Sequence, residues 1–232
     1  MKFFHLLAGA VLTAGTLLAN TAIQPEAREG KFHEQFLAEA KRGNIDILFI
    51  GDSITQYWGD PERGKPVWDR DWAPLQAANF GINSDRTQHV LWRLQNGEGE
   101  GFQPKAVVLL IGTNNTGKRN TTAEAVEGIA AVVRELQKRF PSAKILLLGL
   151  LPRGEKADPR HAQIKDINRA IAKLHDGKSV VFLDIGEKFV DADGNVRADL
   201  LPDLLHPNLQ GYEVFSAAIK EPVRDLLKAE TP

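Results

Sequence analysis

Apolar residues in this 232-residue chain fall into two patterns that alternate along it. The first is a short, largely apolar run without alternation: Ile45 to Ile50, Ala106 to Ile111, Lys144 to Leu150, Ser179 to Ile185, and a weaker one at Ala77 to Phe80. Gly51, Gly81 and Gly112 close three of these runs. Runs of this length, rich in Ile, Val and Leu, predict strands buried on both faces. The second pattern repeats every three or four positions. Phe32, Phe36 and Leu37 mark a helix over Glu26 to Arg42 that ends at Gly43. Thr121 or Thr122 opens another, with Glu124 placed for a capping box and Pro141 as the stop after Phe140. Pro159 to His175 carries Ile164, Ile167, Ala170, Ile171 and Leu174 on one face, and Gln210 to Lys228 is amphipathic. Five strands interleaved with helices predict an α/β fold, a three-layer α/β/α sandwich around a parallel sheet. In such sheets the working residues gather at the carboxyl ends of the strands.

The N-terminus departs from this alternation. A positive charge at Lys2 precedes Leu6 to Ala19, which is apolar or small throughout. That is the length of a signal-peptide core, with Ala19 and Ala22 as small residues for cleavage. It is short for a bilayer span, which needs about 20 apolar residues. Export to the periplasm or the extracellular space is expected, with residues 1–22 as signal peptide and 23–232 as one domain. An N-terminal anchor and a buried helix are the alternatives.

Charge narrows the class of partner. The formal net charge is -1, and Lys and Arg are dispersed, so no basic stripe marks a nucleic-acid surface. Without cysteine there is no thiol catalysis and no Cys-ligated metal. Gly112-Thr-Asn-Asn-Thr-Gly117-Lys118 approaches a phosphate-binding loop, but Arg119 stands where a Mg²⁺-binding Ser or Thr is needed. Asp191-Ala-Asp-Gly194-Asn195 approaches a calcium loop, but its Gly comes early and no Glu sits at the twelfth position, so a tight turn is expected. No metal and no cofactor are implied. Trp58, Trp68 and Trp72 are either core residues or a platform for a sugar ring.

Three segments after strand ends can carry chemistry. In Gly51-Asp52-Ser53-Ile54-Thr55, Ser53 is either a nucleophile at a helix N-terminus or a plain N-cap. In Gly112-Thr113-Asn114-Asn115, Asn114 is an oxyanion donor or a turn residue. In Asp203-Leu204-Leu205-His206, the carboxylate can orient the imidazole, or the two form a surface pair. His89 and His161 fall in helices, and His33 and His175 are expected at the surface.

In their order, Ser53, the segment 81–85, Asn114 and Asp203-x-x-His206 resemble the SGNH or GDSL hydrolase superfamily. Asn79-Phe80-Gly81-Ile82, Thr87 to Glu98 and Gly149-Leu-Leu-Pro-Arg-Gly-Glu-Lys156 are similar to the catalytic subunits of intracellular platelet-activating factor acetylhydrolase. The resemblance spans roughly residues 30 to 230. It implies a flavodoxin-like sheet of five parallel strands and a serine ester hydrolase. Ser53 would be nucleophile, His206 base and then acid, and Asp203 its orienting carboxylate. The Ser53 N–H, the Asn114 amide and an N–H from the segment 81–85 would form the oxyanion hole. Here Ser84 replaces the family's glycine; it can donate where its φ/ψ allows, with Gly81 as the fallback. Ile54, Thr113 and Leu205 would close an acyl pocket suited to acetyl or another short acyl. The implied substrate is a small-molecule or carbohydrate ester, and since those subunits pair, a homodimer is implied too. Those subunits are cytosolic, whereas this N-terminus predicts export. A lysophospholipase or thioesterase of the same superfamily remains open, as does a non-catalytic binding module.

Overall fold

A computed structural model of the chain describes residues 19–117 and 119–228. The apolar run 6–18 and Lys118 of the phosphate-loop segment lie outside the described residues. Five parallel strands, β1 (Ile47–Gly51), β2 (Ala77–Gly81), β3 (Ala106–Leu110), β4 (Lys144–Leu148) and β5 (Val180–Leu183), form one sheet in the order β2-β1-β3-β4-β5. Ile47 pairs with Ala77 on one side and Ala106 on the other, and Gly51 with Gly81 and Leu110. The three strand ends β1, β2 and β3 are therefore level. β1, β3 and β4 are almost wholly buried, which is why they read as unbroken apolar runs rather than alternating ones.

The helices are α1 (Lys31–Arg42), α2 (Ser53–Gln56), α3 (Lys65–Asp71), α4 (Thr87–Arg93), α5 (Thr122–Arg139), α6 (Pro159–Ile171) and α7 (Leu209–Lys228). α3 packs on α7, which lies across β3 and β4, while α4, α5 and α6 pack side by side. Right-handed crossovers put these two groups on opposite faces, because the chain moves one way across the sheet from β1 to β2 and the other way from β3 to β5. The direction reverses between β1 and β3, where an open α/β sheet leaves its crevice.

One helix boundary differs from expectation in an instructive way. α1 starts at Lys31, not Glu26, because Glu26 and Arg28 leave the helix to pair with Arg86 and Asp85 at 2.8 Å each. Ahead of it, Asn20 to Ile23 is packed onto the domain: Ala22 is fully buried, and its carbonyl accepts from Thr87 Oγ1 at 2.7 Å. Among the described residues no helix is long and apolar enough to cross a membrane.

The tryptophan question resolves toward the core. Trp58 and Trp72 are buried at 1% and 0% exposure, and Trp68 is half-buried. Phe49 meets Trp68 and Trp72 edge-on at 5.0 and 5.1 Å between ring centres, and Trp58 lies 4.4 Å from Tyr212. Neither buried ring is available to stack on a sugar. The expected tight turn at Asp191 forms, its Oδ1 accepting from the N–H groups of Asp193 and Asn195. His33 corrects the expectation of a surface histidine: it is buried and joined to Glu98 at 2.7 Å.

Candidate active site

Gly51 ends β1 because nothing larger fits there. A Cβ on it would lie 2.2 Å from the Leu110 carbonyl oxygen and 2.3 Å from Thr55 Oγ1. The chain then turns into α2 with Asp52, not Ser53, as N-cap; Asp52 Oδ1 accepts from the Ile54 N–H at 3.0 Å. Ser53 is thus the first residue of a helix, its N–H without an intrahelical acceptor and its side chain free of a capping duty. Tyr212, fully buried in α7, donates its hydroxyl to the Ile54 carbonyl at 2.7 Å and pins this turn.

The loop before α7 delivers the histidine. Asp203 Oδ1 accepts from the backbone N–H groups of His206 at 2.7 Å and Leu205 at 3.1 Å, so one carboxylate oxygen folds the loop. Its other oxygen meets His206 Nδ1 at 2.6 Å, and His206 Nε2 lies 2.9 Å from Ser53 Oγ. Burial opposes ionisation of Asp203, but the His206 N–H and imidazole and the Leu205 N–H outweigh it and hold its carboxyl below its ordinary value. Tyr57 stands edge-on to the imidazole at 5.2 Å between ring centres.

At the end of β2, Ser84 adopts φ +65°, the left-handed region that glycine occupies at no cost. Its backbone N–H has no partner among the described residues. The fallback fails: the Gly81 N–H is taken by Asn79 Oδ1 at 3.0 Å. At the end of β3, Asn114 Nδ2 donates one N–H to the Asp85 carbonyl at 2.9 Å, leaving the other of that group unassigned. Ser53, Ser84 and Asn114 thus bring unpaired N–H donors to the level ends of three adjacent strands. Ile54 and Thr113 are buried and Leu205 is half-buried.

The loop that carries Ser84 is held by buried charges that come from distant parts of the chain. Asp85, Arg93 and Glu98 are all fully buried. Arg93 Nε lies 2.9 Å from Asp85 Oδ2, its Nη1 donates to Glu98, and its Nη2 donates to the Phe80 carbonyl at 3.1 Å and the Gly51 carbonyl at 3.5 Å. Arg28 closes on Asp85 from outside. Asn115, also fully buried, accepts from the Thr87 N–H at 3.1 Å and donates to Gln88 and Asn120, locking the turn that carries Asn114 onto α4. The one signal for Arg93 was a cation inside the apolar helical run Val90-Leu91-Trp92-Arg93-Leu94.

The sequence profile of the GDSL-like Lipase/Acylhydrolase family matches residues 49–214. The chain belongs to this family, and it is a carboxylic ester hydrolase. It is 40% identical over 211 residues to platelet-activating factor acetylhydrolase IB subunit alpha2 of Rattus norvegicus, covering 90% of this chain and 89% of that one. It is 38% identical over 198 residues to the alpha1 subunit of Homo sapiens, covering 85% and 83%. A Bacteroides fragilis structure with a provisional acylhydrolase assignment superposes with a TM-score of 0.69, covering 86% of this chain and 100% of that one, at 18% identity. That last likeness carries the fold alone.

Two outcomes follow from the buried charges. Arg93→Met strands two carboxylates and should lower the unfolding free energy by about 3–5 kcal/mol in urea; a loss below about 1 kcal/mol contradicts the assignment. Burial raises the Asp52 carboxyl to about 7, and its Oδ2 has no partner. A raised acid is neutral in the folded protein while already ionised in the unfolded chain. Its contribution to stability is therefore present below the ordinary carboxyl range and is lost as pH rises towards 7. Asp52→Asn keeps the cap oxygen and stays neutral. Urea unfolding should show it stabilised relative to the wild type more at pH 8 than at pH 4, and an equal difference at both contradicts the shift.

Proposed function

We propose that the protein is a short-chain, acetyl-preferring esterase acting through Ser53, His206 and Asp203. The observation that carries this is the unbroken Asp203–His206–Ser53 hydrogen-bond chain ending at the first residue of α2. In this mechanism Ser53 Oγ attacks the ester carbonyl carbon as His206 Nε2 takes the hydroxyl proton. Asp203 accepts from Nδ1–H, selects the tautomer that leaves Nε2 basic, and stabilises the imidazolium. The tetrahedral oxyanion receives N–H bonds from Ser53, Ser84 and Asn114; losing one such donor costs roughly 10²–10³ in rate. His206 returns the proton to the departing alkoxide and an acyl-Ser53 ester remains. A water deprotonated by His206 then releases the carboxylic acid.

Ile54, Thr113 and Leu205 support the acyl preference, since side chains of this size beside the nucleophile leave little room past a few carbons. Pocket selectivity of this kind is worth about 1–3 kcal/mol per methylene, so rates should decline by steps. The acetylhydrolase names of the relatives point the same way. An acetylated carbohydrate is the alcohol-bearing substrate we favour, and the apolar N-terminal run supports work outside the cytoplasm.

The test is a series of p-nitrophenyl esters from acetate to palmitate. Acetate should be turned over fastest, with rates falling beyond butyrate. Ser53→Ala should lower kcat by on the order of 10⁴–10⁶ without loss of the folded state. A preference for long chains would make the enzyme a lysophospholipase or thioesterase, and undiminished turnover by Ser53→Ala would overturn the mechanism.

A further inference from the structure

Arg153 follows β4 in the segment Leu150-Leu151-Pro152-Arg153-Gly154. Its Nη1 donates to the Thr113 carbonyl at 3.1 Å and to Thr113 Oγ1 at 3.3 Å. The next residue, Gly154, donates its N–H to the Leu204 carbonyl at 2.8 Å. The guanidinium is therefore tied to the turn that carries Asn114, and the backbone next to it is tied to the loop that carries His206.

Its charge is unusually placed. Arg63, which lines a cavity of about 140 Å³ beside His206, has Asp60 at 3.5 Å, and Arg160 has Asp158 at 2.5 Å. Arg42, Arg119 and Arg134 are exposed and have no carboxylate within ion-pair distance among the described residues, so water solvates them. Arg153 is half-buried, and among the described residues no carboxylate lies within ion-pair distance of it. Burial, then the neighbouring Arg160, pull its guanidinium below the usual value, against Asp158, Asp52 and Asp203 acting across space.

A partly desolvated cation is stabilised poorly by two contacts to one threonine. A guanidinium presents five N–H donors in a fixed fork, and Thr113 uses one nitrogen of it. A carboxylate or phosphate would meet the remaining donors and restore the solvation lost to burial. Thr113 and Leu204 flank Asn114 and Leu205, so an anion bound here would sit close to the scissile ester.

We propose that Arg153 is a specificity residue that recognises a negatively charged group, a carboxylate or phosphate, borne by the ester substrate next to the bond that is cleaved. The proposal rests on the esterase reading and deepens it. It makes acidic esters, such as an acetylated sugar acid, better substrates than neutral ones.

Two matched pairs separate the source of the charge. One pair is 4-carboxyphenyl acetate and its uncharged methyl ester, with charge on the alcohol half. The other is the p-nitrophenyl monoester of succinic acid and p-nitrophenyl butyrate, with charge on the acyl half. In one pair the wild type should favour the anionic member in kcat/KM, and Arg153→Met should reduce that ratio about tenfold. Arg153→Lys should keep part of the preference, because it retains the charge but not the fork. Added salt should weaken the preference in the wild type and leave the Met variant unaffected. Equal losses on charged and neutral esters, or no anionic preference in the wild type, would overturn the proposal and leave Arg153 as a brace for Thr113. Wild-type silence on all four esters would instead overturn the esterase reading, and this proposal with it.

Discussion

The guanidinium of Arg93, shut away from water, is the interaction on which the site depends. It binds the Gly51 carbonyl at the end of β1 and the Phe80 carbonyl one residue before the end of β2, and it pairs with Asp85 and Glu98. Asp85 in turn offers its own carbonyl to Asn114 at the end of β3. One cation thus links three strand ends and the loop that carries Ser84. Parallel strands leave their last carbonyls pointing out of the sheet, and inside a protein each needs a donor. Arg93 donates to the Phe80 carbonyl and joins the Ile82 N–H on the Gly51 carbonyl, and it fixes the loop at the same time. Such a buried cluster is a weak source of net stability, because desolvation offsets most of the attraction. Its value here is geometric: an oxyanion donor misplaced by about 1 Å loses much of its effect.

Strain gathers around the same point. Ser84 at φ +65° and Leu204 at φ +56° are two non-glycine residues in the left-handed region, one in each loop that meets at Ser53. Such a conformation costs roughly 1–2 kcal/mol for a residue with a Cβ. At Ser84 it turns the backbone N–H out of the loop's own hydrogen bonding. At Leu204 it reverses the chain between Asp203 and His206, so that one carboxylate can bond the backbone and the imidazole of the same residue. Anchors elsewhere hold both loops: Asp85 is gripped by Arg93 and Arg28, and Leu204 receives the Gly154 N–H.

How much of this was legible follows from the range of the forces involved. The strands were readable because burial on both faces forces apolar runs such as Val107–Leu110. α5 was readable because its start is set locally, by Thr121 and Glu124 capping one another. Ser53, Asn114, Asp203 and His206 stand at strand ends or in short local motifs, and the resemblance to a hydrolase family tied them together. Arg93, Asn115 and Arg153 went unseen because their roles depend on partners far along the chain. Arg93 reaches back 42 residues to Gly51, and Arg153 reaches 40 to Thr113. The early start expected for α1 failed for the same reason, since Glu26 and Arg28 are drawn off by Arg86 and Asp85. His33 reads as a surface residue from its local sequence because its partner, Glu98, lies 65 residues away.

The central claim is that the hydrogen-bond chain from Asp203 makes Ser53 the single nucleophile. The most direct measurement is covalent labelling with an alkyl fluorophosphonate, followed by peptide mapping by mass spectrometry. The account predicts one phosphonyl group per chain, on Ser53, with labelling slowed severely in His206→Ala. An adduct on another residue, or equal labelling of Ser53 with and without His206, would contradict it.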